Sequence, residues 1–264
     1  MKDLNIKDFS KCVAILQLSN MNDIERIETY IKSLPKQSIV LLGEYIVDSF
    51  FSQDWALQPE SCLKDKHKLD IFTNFAKEYG HTFIIPTIQH KNKGYYKQMA
   101  IITNDDTISY MQQRLIQYSH WNEASFFSND TKKLPKLPFT FMAGGIKFGV
   151  LFGFEAHFDE FWMEFKKADV DVVLVATAST FASQERWKSL LTTHAFTNSC
   201  YVCRANRIGT HHASDGQKWD FYGHSFVSLG QDIVDSLEGD EGMLCVEIDK
   251  EALNALKKEW GFRI

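Results

Sequence analysis

Short apolar runs, each about as long as one buried strand, recur along this chain. They alternate with stretches whose apolar residues fall at helical spacing. Cys12–Ser19 (CVAILQLS) and Ser38–Glu44 (SIVLLGE) are compact and apolar, and read as buried strands. Between them Ile24, Ile27, Tyr30 and Ile31 fall on one helical face, with Asn22 or Asp23 placed to cap the helix. Lys68–Tyr79 is a second amphipathic helix, closed by Gly80. TFIIPTIQ, MAIIT and ISYMQQRL follow as strands, with turns at Asn92–Gly94 and Asn104–Asp106. The second half repeats the style. FTFMAGG and Lys147–Glu155 are strands, Phe158–Ala168 a helix, VDVVLVATA a strand, Glu185–Asn198 a helix and YVCRANRIG a strand. HSFVSLG, IVDSLEG and GMLCVEID complete the strands, and Lys250–Trp260 is a terminal helix. Strands alternating with helices give an α/β architecture. No low-complexity linker divides residues 1–264, which are expected to form one domain.

Composition narrows the function classes. Of 264 residues, 29 are Lys or Arg and 34 Asp or Glu, a formal net charge of −5 without a dense basic block, so no nucleic-acid partner is expected. No apolar run approaches the roughly 18 residues of a membrane span, and the polar start MKDLNIKDFSK is unlike a secretory signal. Five cysteines without a tight framework fit a reducing cytoplasm.

Three segments stand out as places for chemistry. Glu44 ends an apolar strand, where α/β folds put their ligands. Ser109–Phe127 runs from a strand into an aromatic loop carrying Glu123. In Gly149–Trp162 a strand breaks at Gly153 and a helix opens on acids, a pattern that also fits a plain glycine turn. Cys200 and Cys203 form a CxxC, but positions three apart on a strand face opposite sides, so they read as buried packing residues. His211 and His212, in a loop, lack a third ligand nearby; no metal is expected.

These segments, in this order and spacing, resemble the nitrilase (carbon–nitrogen hydrolase) superfamily from about Cys12 to Asp249. IVLLGEYI is similar to the segment that carries the family's catalytic glutamate, with Gly43 where the family usually has proline. GVLFGFEAHFDE resembles the nucleophile segment, and HAFTNSCYVCRANRIG the later helix–strand segment, on which Asn198, Asn206, Arg207 and Gly209 fall. The resemblance implies a four-layer αββα sandwich, no cofactor, and a homodimer or larger homo-oligomer. It also implies acyl transfer by a Cys–Glu–Lys set: a thiolate attacks an amide or nitrile carbon, a carboxylate takes the thiol proton, and a lysine stabilises developing charge.

Here the match departs from the family. Gly153 falls at the cysteine position and Gln112 at the lysine position, while Glu44 and Glu123 remain as the catalytic candidates. Arg114, two residues after Gln112, would share its strand face and could bring a positive charge near the carboxylates. Arg114, Glu155 and Asn198 are the ligand-binding candidates. The main expectation is a thiol-inactive homologue that binds a small amide or amine, or acts as an oligomeric regulator. Without the lysine, Glu44 and Glu123 should favour an amine or hold one carboxyl protonated. The alternative is an active amidohydrolase on a small amide, carbamoyl compound or nitrile, with Glu44 as general base on water.

Overall fold

The computed structural model describes residues 4–63, 67–133 and 135–263. Along the chain run β1 (Asn5–Ile6), β2 (Cys12–Gln17), α1 (Ile24–Ser33), β3 (Ile39–Leu42), α2 (Asp54–Leu57), α3 (Pro59–Cys62) and α4 (Asp70–Tyr79). Then come β4 (Thr82–Lys91), β5 (Gly94–Ile102), β6 (Thr107–Met111), β7 (Thr140–Ala143), β8 (Ile146–Phe152), α5 (Asp159–Lys167) and β9 (Val172–Thr177). The chain closes with α6 (Gln184–Thr197), β10 (Tyr201–Asn206), β11 (Ile208–His212), β12 (Lys218–Tyr222), β13 (Phe226–Leu229), β14 (Asp232–Ser236), β15 (Gly242–Glu247) and α7 (Lys250–Trp260).

The strands form two large mixed sheets, ordered β15-β2-β3-β4-β5-β6 and β1-β7-β8-β9-β10-β13-β14, plus the hairpin β11-β12. Alternation along each strand sorts the residues into layers. Val13 and Ile15 of β2, Ile39 and Leu41 of β3, Phe148 and Val150 of β8, and Val172 and Leu174 of β9 all face a core shared by the two sheets. Ala14, Leu16, Val40 and Leu42 face the other way, onto Ile27 and Ile31 of α1 and Phe72, Phe75 and Ala76 of α4. Leu151, Val173, Val175 and Val202 pack against Phe161, Trp162 and Phe165 of α5 and Leu191 and Ala195 of α6. The result is the expected αββα sandwich. Strands buried on both faces are why these segments read as unbroken apolar runs.

Local signals act as their chemistry requires. Asp23 accepts a hydrogen bond from the Arg26 amide at the start of α1, and Gly80 ends α4 with a left-handed φ of 70°. The sequence reading missed β11 as a strand. His211 and His212 lie on it, paired with Trp219 and Lys218, and not in a loop. Cys200 packs in the α5–α6 layer and Cys203 between the sheets, so the CxxC sulfurs point into different cores. The five cysteines are not all thiols: Cys12 and Cys245 form a disulfide between β2 and β15, and Cys62, Cys200 and Cys203 are buried. Among the described residues no helix is long and apolar enough to cross a membrane.

The inter-sheet core is the test of this layering. Phe148 is fully buried, with Phe141 at 5.2 Å and Phe9 at 5.5 Å between ring centroids. Phe148→Ala should lower unfolding free energy by about 3–5 kcal/mol in urea titration.

Candidate active site

Parallel strands from both sheets end together. Behind β3, the Glu44 amide donates to the carbonyl of Thr177 at the end of β9 (3.0 Å), and the Gly153 amide behind β8 donates to Ala176 (2.7 Å). The Arg207 amide behind β10 reaches the same Thr177 carbonyl (3.1 Å). The two sheets are thus stitched at their strand ends. A side chain at position 43 has no room there: a Cβ would sit 2.9 Å from the Arg207 nitrogen. Gly43 lets Glu44 approach the opposite sheet.

Glu44 is buried, and its Oε2 lies 2.5 Å from the Lys97 ammonium on β5. Lys97 also bonds Oε1 of Glu123 at 2.7 Å. Glu123 sits in the short 3-10 turn Glu123–Ser125, accepts a very short hydrogen bond from the Tyr45 hydroxyl and takes the Ile116 amide on Oε2. The Tyr45 and Phe152 rings flank the ammonium at 4.6 and 5.5 Å. Burial raises the Glu44 carboxyl above its usual range and Glu123 adds to that, while Lys97 opposes it. Burial works against the Lys97 charge, but the two carboxylates outweigh it and hold its pKa above the ordinary value.

This geometry corrects the sequence reading. Glu44 and Glu123 do meet, but they are not left without a cation, because Lys97 lies between them. Gln112 is buried beside this lysine: its amide donates to the Lys97 carbonyl (3.1 Å) and its side chain to the Arg114 carbonyl. Arg114 does not serve the carboxylates. Strand β6 ends at Met111, so the shared strand face does not extend to residue 114. The guanidinium instead donates to the carbonyls of Gln113, Thr131 and Lys133. Lys97 could have been found only by reading β4–β5 as a hairpin beside β6. Its sequence signal is weak: one lysine followed by Gln98 in an otherwise apolar strand.

Gly153 has helical backbone angles (φ −55°, ψ −45°), so its conformation does not require glycine. Its surroundings leave little space, however. A Cβ would lie 2.8 Å from the Thr177 γ-methyl and 3.1 Å from Glu44 Oε1. The Gly153 amide itself lies 3.3 Å from that oxygen.

Glu155 is brought near the site but is walled in. It accepts the Tyr110 hydroxyl and the Gln113 and Phe152 amides and is fully buried. A role touching ligand is therefore corrected to one of bracing the strand ends. Asn198 is not at the site. It caps the far end of α6, its amide on the His194 carbonyl, and it does not line the cleft. A cleft of about 620 Å³ opens above Glu44 and Gly153. Its walls include Tyr118, Trp121, Phe181 and Trp187. Two buried polar groups on it, Ser179 Oγ and Trp121 Nε1, have no hydrogen-bond partner among the described residues.

Residues 12–258 match the carbon–nitrogen hydrolase family model. The chain belongs to the carbon–nitrogen hydrolase family. It is 24% identical over 263 residues to an N-carbamoylputrescine amidase of Oryza sativa subsp. japonica, covering 90% of this chain and 84% of the relative. Its fold is similar to a carbon–nitrogen hydrolase of Helicobacter pylori G27, with a TM-score of 0.81, 18% identity, and 95% and 93% of the two chains covered. It is also similar to the superfamily protein XC1258 of Xanthomonas campestris, whose structure carries an arsenic adduct in the active site, with a TM-score of 0.79, 18% identity, and 99% and 96% covered.

Burial pushes the Glu155 carboxyl up to about 7 from an ordinary 4.5, against the pull of its three donors. A carboxyl whose pKa rises on folding stabilises the protein below the unfolded value, and that stability is lost as pH rises through the folded value. Stability should therefore fall by on the order of 3 kcal/mol between about pH 4.5 and 7 from this group alone. In Glu155→Gln, denaturant titrations across that range should lack this component.

Proposed function

We propose that the chain acts on the carbon–nitrogen bond of a small carboxamide or carbamoyl compound by way of water, without a thioester. One observation carries this reading. Of the described residues lining the cleft, Glu44 alone bears a carboxylate, while Lys97 and Glu123 stand behind it and line no part of the opening. Family membership and the name of the rice relative, an amidase on a carbamoyl compound, supply the substrate class.

In this scheme Glu44 takes a proton from water as the water oxygen attacks the carbonyl carbon. The proton then passes to the leaving nitrogen as the carbon–nitrogen bond breaks, giving an acid and an amine or ammonia. The raised pKa of Glu44 makes it a stronger base than an exposed carboxylate. Lys97 acts through Glu44, fixing its orientation and charge, and is a positioning residue. The aromatic wall excludes water from the rest of the ligand. General-base catalysis of this kind gives about 10²–10⁴-fold, so turnover is slow.

A second reading, binding without turnover, is favoured by Gly153, which offers no nucleophile. The two readings separate in one experiment on carboxamides, carbamoyl compounds and nitriles. Slow hydrolysis that falls about 10²–10⁴-fold in Glu44→Gln supports the first. Saturable binding without product in the unaltered protein supports the second. Intact-mass spectrometry during turnover should show no acyl adduct. In Gly153→Cys combined with Thr177→Ser, which removes the methyl crowding position 153, an adduct should appear.

A further inference from the structure

A second cavity, of about 560 Å³, lies on the other side of Tyr45 from the carboxylate cluster, between the start of α1 and the start of α4. Its walls combine apolar side chains, among them Met21, Ile24, Val47 and Ile71, with Lys68 and Arg207. The charges on it are unevenly matched. Lys68 bonds Asp48, which also takes the Thr87 hydroxyl (3.0 Å) and the Ile88 amide (2.9 Å), so that carboxylate is fully occupied.

Arg207 is different. It is 7% exposed, Nη1 donates to the Tyr45 carbonyl (2.7 Å), and the guanidinium stacks on Phe221 at 4.7 Å. Among the described residues no carboxylate pairs with it. Its Nε is sealed without an acceptor, and Nη2 has none either. Burial lowers its pKa to about 10, so it keeps its charge at neutral pH. A buried charge without a counter-charge costs several kcal/mol. Arg204, equally buried, is enclosed by the rings of Trp187, Tyr222 and Phe226 and lines neither cavity. Arg207 has one ring and an open cavity. His211 Nε2, on the same wall, is also without a hydrogen-bond partner among the described residues and lies 3.9 Å from Asp54.

We propose that this cavity binds a small organic carboxylate, its head on Arg207 and its apolar body against Met21, Ile24, Val47 and Ile71. A guanidinium fork matches the planar carboxylate. A monoanion fits better than a phosphate dianion, because among the described residues of the wall Arg207 is the one cation without a counter-charge, and Asp48 lies on the same wall. The site is separate from the Glu44 cleft, and no described residue lines both. The Tyr45 carbonyl holds Arg207 and its hydroxyl holds Glu123, with its backbone in the left-handed region at φ 59°.

The test is calorimetric titration of the full chain with hexanoate, hexylammonium, hexyl phosphate and inorganic phosphate. Hexanoate should saturate one site. Ile24→Trp, which fills the cavity from a residue 39% exposed, should weaken that binding at least tenfold, as should Arg207→Gln. If Arg207→Gln does not fold, Ile24→Trp decides. The proposal is overturned if hexanoate does not saturate, if Ile24→Trp leaves its affinity unchanged, if hexylammonium binds as tightly, or if only the phosphates bind. Ile24 does not line the Glu44 cleft, so amide turnover or binding there is scored independently.

Discussion

The Lys97 ammonium held between Glu44 and Glu123 is the interaction on which the rest of the site depends. Three ionisable groups from β5, a strand end and a 3-10 turn are removed from water together. Taking out one member would strand the others: breaking a buried ion pair from one side typically costs about 3–5 kcal/mol. The cluster therefore ties the aromatic loop bearing Glu123 to the sheet that carries β3 and β5. It also sets the charge of Glu44, the one member that reaches the cleft.

Strand direction explains why the site forms where it does. β3 in one sheet and β8, β9 and β10 in the other all end at one edge, where the chain leaving β3 and β10 bonds the Thr177 carbonyl and the chain leaving β8 bonds that of Ala176. Gly43 and Gly153 occupy the two positions where a Cβ would collide at this seam. At Gly43 the obstacle is backbone, which cannot yield. At Gly153 it is a methyl group and a carboxylate oxygen, which substitution can move.

The layers were legible because burial on two faces writes itself as apolar runs, and Cys12–Gln17, Ile39–Leu42 and Val172–Thr177 are such runs. Glu44, Glu123 and Gly153 were legible from order and spacing within a resemblance. Lys97 was not, because its partnership spans a sheet register: β5 pairs with both β4 and β6, and no linear spacing encodes that. Arg114 and Asn198 failed for a related reason. A strand face was extrapolated past Met111, where the strand ends, and a helix C-cap has the same letters as a ligand-binding asparagine.

Charge and bond formation tolerate relocation differently. A lysine stem can deliver its ammonium from a neighbouring strand, since adjacent strands lie only about 4.8 Å apart. Lys97 sits directly beside Gln112, the place that the resemblance gives to lysine, and still reaches both carboxylates. A nucleophile has no such latitude: it must come within about 3–3.5 Å of the reacting carbon on a fixed approach. Cys62, Cys200 and Cys203 are buried and none lines the cleft. A charge can thus be supplied from a neighbouring strand, whereas a bond-forming group is confined to a position at the reacting carbon.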